Sequence, residues 1–246
     1  MNDSLTHKLA LVTSKRSAHE RLPEIIAAAV RVFTRDGYRA TRMHDVATEA
    51  GLSEAALYRY VTGKEGLFVL AIRHALLLEE LPDVELPLHP PPLAQTMRET
   101  REFVAEAVPF GTLASALSTA EPDDAAKELE SVLRELFALE AQTREATDMI
   151  ERSARELPEL AALLDEGLYR PVIAALAEYL QHRADRGFLR QTPDTQATAR
   201  LVVETLTWFA RHRHHDPQGA EITDGLAEET AVDALLHALI LPGTAR

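Results

Sequence analysis

Residues 37–68 read GYRATRMHDVATEAGLSEAALYRYVTGKEGLF, and the punctuation of this stretch decides the fold. After Thr41, placed as a helix cap, Met43, Val46, Ala47 and Ala50 recur at helical spacing. Gly51-Leu52-Ser53 breaks the pattern, and Ser53 caps a second short helix through Tyr60. Helices of under ten residues cannot stand alone, so the two must pack on each other. Gly51 supplies the left-handed residue of a tight turn. Leu52 is placed to plug the gap between the helices, and Ala47 leaves room for a close crossing. Such a unit is a helix-turn-helix, which presents its second helix to a DNA major groove.

Outward from it the pattern stays helical. A first helix carries Leu22, Ile25, Ile26, Ala29, Val32 and Phe33 on one face and ends at Gly37. Its start lies within 17–23, where a Ser17/Glu20 capping box competes with Pro23 as a first-turn proline. Residues 1–17 read as a flexible tail. Thr62 and Glu65 form a second capping box, opening a helix with Leu67, Phe68, Leu70, Ala71, Ala75 and Leu78. Prolines at 82, 87, 90, 91 and 92 then mark a loop. Beyond it, helices are expected near 93–107 and 112–119. A long one runs from Pro122-Asp123-Asp124 to about 154, with Leu129, Val132, Leu133, Leu136 and Phe137 inward. Others run from Pro158 to Gly187, from 194 to 212, and from 224 to 241, the last after a polar loop from Asp216 to Thr223. Pro171 is expected to kink the 158–187 helix and open space near Tyr169–Ile173. No run alternates as a strand does, so the fold class is all-α.

The chain has 246 residues, a net charge of −13 and no cysteine. Disulfides, thiolate metal sites and a Cys nucleophile are excluded. Residues 1–64 hold ten Lys/Arg against seven Asp/Glu, a net +3; residues 65–246 hold 16 against 32, a net −16. A polyanionic partner should therefore meet the head. The longest uncharged stretch, Ala107 to Ala120, is 14 residues, short of the ~20 that a membrane span needs. The first residues lack the pattern of a signal peptide, which makes the cytoplasm the expected compartment and a membrane an excluded partner.

The stretch resembles the DNA-binding domain of TetR-family transcriptional regulators. The resemblance runs over Ile25–Phe68 and rests on Ala28, Ala29, Phe33, Thr41, Val46-Ala47, Ala50-Gly51-Leu52-Ser53, Leu57-Tyr58 and Lys64-Glu65. It implies a three-helix helix-turn-helix domain over 18–66, with motif helices about 42–61, and an all-helical regulatory and dimerisation domain over 67–246. It implies a homodimer on double-stranded operator DNA, and a small-molecule inducer that releases it. It makes Thr41 and Arg42 similar to phosphate contacts, Tyr58 and Lys64 likewise, and puts His44 where some members reach bases or phosphate. The recognition helix then exposes Ser53, Glu54, Ala55, Ala56, Arg59 and Tyr60. Arg39 and Arg59 are suited to bidentate bonds with guanine. Ala55 and Ala56 are short enough for a close approach to thymine methyls. Glu54 either accepts from cytosine N4 or serves the helix dipole. Two departures are Val61, where Phe is usual, and Gly63, where Ser, Asn or Lys is common.

In the body, Phe103, Phe110, Phe137, Tyr169 and Trp208 are candidates for a ligand pocket, against ordinary core packing. The dimer is expected on the last two helices, through Leu201, Leu206, Val232, Leu235, Leu236 and Leu239. His212 and His215 stand three apart, but interleaved arginines favour a cationic helix end over a metal site. There is no nucleophile elbow and no glycine-rich phosphate loop, so no enzyme, cofactor or metal is expected. The expected function is a sequence-specific transcriptional regulator, a repressor released by a ligand. The alternative is a helical small-molecule sensor or carrier whose head binds no operator.

Overall fold

A computed structural model describes residues 21–75, 86–89, 91–107 and 111–241, with backbone alone at 75, 100, 101 and 103–107. The expectations for residues 1–20, Leu78, Pro82, Pro90, Phe110 and 242–243 lie outside the described residues. The architecture is all-α, and among the described residues no strand forms; two isolated bridges pair Val61 with Leu88 and Leu189 with Ile240. Among the described residues no helix is long and apolar enough to cross a membrane. Two compact units form, one from the described parts of Met1–Thr100 with Glu145–Leu163, the other from Arg101–Arg144 with Leu164–Arg246.

The first unit begins with α1, described over 21–36. Its stripe Leu22, Ile25, Ile26, Ala29, Val32, Phe33 is buried throughout, as the spacing predicts. Gly37 ends it at φ 80°, in the left-handed region. α2 is Met43–Glu49. Its cap is Arg42, whose N–H donates to Asp45 Oδ2 at 2.9 Å. Thr41, expected as the cap, is instead buried, its hydroxyl donating to the Gly37 carbonyl at 2.7 Å. Gly51, at φ 66°, makes the turn. Ser53 Oγ accepts from the Ala56 N–H to open α3, Glu54–Leu57. The second motif helix is therefore shorter than 53–60, and Tyr58–Tyr60 continue it as tight turns. α4, Lys64–Ala75, starts one residue later than a Thr62 cap requires. The Leu67 N–H bonds to Gly63 O, while Thr62 donates to Leu88 O and the Glu65 carboxylate accepts the Leu93 N–H. The capping box is absent because its two side chains are taken by Leu88 and Leu93, on either side of the proline-rich segment.

α5 is Leu93–Ala107. The helix expected over about 124–154 is two, α7 (Ala125–Gln142) and α8 (Arg144–Ala154), broken at Thr143, whose hydroxyl bonds back to Leu139 O. α8 belongs to the first unit and α7 to the second. α9, Pro158–Ala162, leads into a π-helical stretch, Leu163–Tyr169, and then into α10, Arg170–Asp185. Pro171 thus sits at the start of α10 behind the widened turn, which accommodates its missing N–H and its ring.

In the second unit α6 (Gly111–Ser118), α7, α10, α11 (Thr195–Ala210) and α12 (Asp224–Leu239) enclose one apolar core. Asp124, Asp194 and Thr223 cap α7, α11 and α12. α7 holds α6 at both ends. Glu135 accepts the Thr112 and Leu113 N–H groups, and Glu128 pairs side-on with the fully buried Arg183, which donates to the Ala116 and Thr119 carbonyls. Leu206, Val232, Leu235 and Leu239, expected at a dimer face, are buried in this core instead; Leu236 packs against it, and Leu201 is 63% exposed.

Candidate nucleic-acid interface

The first unit holds its motif from inside. Phe68 stands 4.8 Å from both Phe33 and Tyr38, edge-on to the former. Arg31 on α1 donates to Glu49 on α2 at 2.8 Å. With Met43, Val46, Ala47, Leu57 and Val61 turned inward, the polar residues of the motif have only the outer face left. Val61, the departure from the usual Phe, is fully buried.

Arg39, Arg42, His44, Ser53, Glu54, Ala55, Tyr58 and Arg59 are all exposed, and Ala56, Tyr60 and Lys64 are half-buried. Tyr58, 45% exposed, turns its large aromatic side chain to the same solvent-facing side of the chain as Arg59 is left on. Thr41 is the exception: buried and bonded to Gly37 O, it is not placed as a phosphate contact. Lys64 also differs from the expectation. Its ammonium donates to Tyr38 O at 2.9 Å and Arg39 O at 3.2 Å, and lies 4.6 Å over the Tyr38 ring. It braces the turn that carries Arg39, and one remaining proton can reach a phosphate.

Two residues of this site were not singled out by the sequence. Glu156 accepts the Arg39 N–H at 2.8 Å from 117 residues away. Tyr38 fills the turn with its ring, and burial pushes its phenol above the ordinary tyrosine range. The Gly-Tyr pair ahead of Thr41 could have flagged Tyr38; nothing local flags Glu156.

The second unit contains a small cleft lined by Leu136, Leu139, Glu140, Leu168, Tyr169, Val172, Val203 and Leu206. It opens near the expected Tyr169–Ile173 segment. Its polar corner is a buried cluster: Glu140 lies 3.4 Å from Arg211 Nε, and Arg211 donates to the Tyr169 hydroxyl at 2.9 Å. Of the aromatic candidates, Tyr169 lines the cleft. Phe137 is a core residue, and Trp208, 37% exposed, stands edge-on to Phe209 at 4.9 Å. The Phe103 side chain and Phe110 lie outside the described residues. Aliphatic lining was missed because helical Leu and Val look alike in core and cleft. The His212–His215 segment is a 3-10 helix, and its Arg213 is buried, bonded to the Phe209 and Ile222 carbonyls and to Asp224. Among the described residues no three His, Asp or Glu side chains group as metal ligands.

Fold and motif together define an all-α protein with a helix-turn-helix in its first unit and an all-helical second unit. Residues 25–71 match the family described as bacterial regulatory proteins, tetR family. The chain is 31% identical over 67 residues to the HTH-type transcriptional regulator HbdR of Aromatoleum sp. (strain CIB), covering 27% of this chain and 29% of that protein. It is 32% identical over 56 residues to YerO of Bacillus subtilis (strain 168), covering 23% and 19%. These alignments span less than a third of either relative. The fold is similar to that of the ketosteroid transcriptional regulator KstR2 of Mycobacterium tuberculosis (TM-score 0.54, 16% identity, 90% of this chain and 95% of that one). It is also similar to SmeT of Stenotrophomonas maltophilia in its triclosan complex (TM-score 0.50, 18% identity, 92% and 95%). The likeness to the tetR family is carried by residues 25–71, which include the helix-turn-helix.

Proposed function

We propose that the protein is a sequence-specific DNA-binding repressor that holds its operator as a homodimer and releases it when a small molecule occupies the cleft. The DNA-binding domain is residues 18–66, and residues 67–246 regulate and dimerise. The observation that carries this reading is the exposed set Arg39, Arg42, His44, Ser53, Glu54, Ala55, Tyr58 and Arg59 on a motif whose Met43, Val46, Ala47, Leu57 and Val61 turn inward. The +3 charge of residues 1–64 supports it against the acidity of the rest. Solved relatives that carry a small molecule, such as SmeT with triclosan, support the ligand half. Ligand acts by binding better to the DNA-incompetent conformation. Leu201 and Trp208, seven residues apart on α11, and Leu226 on α12 are exposed large apolar side chains that suit a copy-to-copy helical bundle.

The test is a titration of purified protein on DNA flanking its own gene, at two salt concentrations, with scrambled DNA as control. Preference for the specific DNA, falling steeply with salt, is the expected result. No preference there, or in a selection from whole genomic DNA, sustains the alternative of a sensor or carrier whose head binds no operator.

A further inference from the structure

We propose that Glu156 is a positioning residue for DNA binding: its carboxylate sets the Gly37–Arg39 turn that presents Arg39 and Arg42, and places that turn under the control of the α8–α9 segment. This rests on the DNA-binding reading above and names how the same site is regulated.

One N–H and two carbonyls of the turn are held by charges of the right sign. The Arg39 N–H donates to Glu156 Oε2 at 2.8 Å. The Tyr38 and Arg39 carbonyls accept from the Lys64 ammonium. An anion on the N–H side and a cation on the carbonyl side fix the orientation of the Tyr38–Arg39 peptide units. Gly37 makes room for this. A Cβ there would stand 3.4 and 3.5 Å from the two Glu156 carboxylate oxygens, so the carboxylate lies against the turn at van der Waals distance. A second link joins the same elements: the Arg152 charge on α8 helps, behind the Arg35 hydrogen bond, to hold the Asp36 carboxyl below the ordinary carboxylate range.

Glu156 is itself placed by the turn between α8 and α9, where the N–H groups of Glu156 and Leu157 both bond to Ser153 O at 3.0 Å and Pro158 starts α9. From there the chain runs without a break through α9 into the π-helical stretch Leu163–Tyr169. Leu168 and Tyr169 at its end line the cleft. Such π-helical stretches are frequent at functional sites, and this one is the element proposed to change when the cleft fills. A molecule pressing on Leu168 or Tyr169 has a continuous covalent path to Glu156.

The experiment uses the full-length protein and a DNA fragment selected from the genome. Dissociation constants, thermal midpoints and the exchange rate of the Arg39 amide are measured for wild type, Glu156→Gln and Glu156→Ala. Glu156→Ala should weaken DNA binding about tenfold or more and speed Arg39 exchange. Glu156→Gln, which keeps an acceptor oxygen, should restore most of both. Unchanged DNA affinity in Glu156→Ala overturns the proposal. So does a loss that follows the thermal midpoint without faster Arg39 exchange. The coupling is read by filling the cleft with Val172→Phe, or with Val203→Met as a milder filler. Either should weaken DNA binding in wild type and add nothing in the Glu156→Ala background; additive losses overturn the coupling. Wild-type protein that selects no DNA overturns the regulator reading instead, and protection of Arg39 by Glu156 would still be seen, which separates the two failures.

Discussion

Arg59 and Tyr58 are adjacent and exposed, yet the chemistry assigns them different work. A guanidinium can bond two acceptors of one base, whereas a phenol hydroxyl suits a phosphate oxygen. Arg59→Ala should therefore alter sequence preference by ~1–3 kcal/mol at one base pair, read by a selection over randomised operators. Equal weakening on all sequences would make Arg59 a backbone contact only. Tyr58→Phe should weaken all operators alike, leaving the preferred sequence as it was. Lys64→Ala should do more than remove a phosphate contact. It frees the Tyr38 and Arg39 carbonyls, so Arg39 amide exchange should rise along with the fall in affinity. The type of these side chains was legible in the sequence, and so was their place on a motif helix. Thr41 was misread because a threonine before a helix is a cap by default, whereas here the approach of Gly37 O takes its hydroxyl inward.

At the level of elements, charged side chains fix how helices begin, end and cross. The Asp124 carboxylate accepts the Ala126 and Lys127 N–H groups at the start of α7, and the Lys127 N–H bond is the main reason its carboxyl is held below the ordinary carboxylate range. A depressed carboxyl stabilises the fold above its unfolded-state value and loses that contribution as pH falls through its folded-state value. Asp124→Asn keeps the cap, since its amide oxygen still accepts. It should leave neutral stability nearly unchanged and flatten the acid limb of thermal midpoint against pH. Arg183 with Glu128 is the larger clamp. Arg183→Met leaves Glu128 without its cation and two carbonyls without donors, and should cost about 3–5 kcal/mol in denaturant unfolding. Adding Glu128→Leu should recover part of that loss. The helix breaks are the elements sequence periodicity reads least well. The 124–154 pattern continues across Thr143 because one apolar stripe serves two helices that pack in different units.

For the whole molecule, the surface proposed to join copies is narrower than the apolar pattern suggests. Most of the candidate leucines on α11 and α12 are inside their own subunit, which leaves Leu201, Trp208 and Leu226 as the exposed anchors. Leu201→Glu should shift the protein toward monomer in sedimentation equilibrium without lowering its thermal midpoint. It should also reduce operator affinity, because two half-sites then bind independently. A dimer unaffected by Leu201→Glu and Trp208→Ala would place the interface elsewhere.

The all-α class, the first helix and the helix-turn-helix are properties of the sequence by itself. Local spacing, caps and two left-handed glycines act over a few residues, and one chain segment contains all of them. The exposure of His44, Glu54 and Ala55 follows from the same period, since apolar neighbours claim the other face, whereas Arg39, Arg42, Tyr58 and Arg59 stand in turns or at a cap. What only the tertiary structure decided joins residues far apart in the chain. It placed Glu156 on the Gly37–Arg39 turn, returned Leu88 to Val61, buried Arg183 against Glu128 and lined the cleft with aliphatic side chains. A carboxylate beside a backbone N–H, or a leucine beside a cavity instead of a core, leaves no local period to read; proximity comes only with packing.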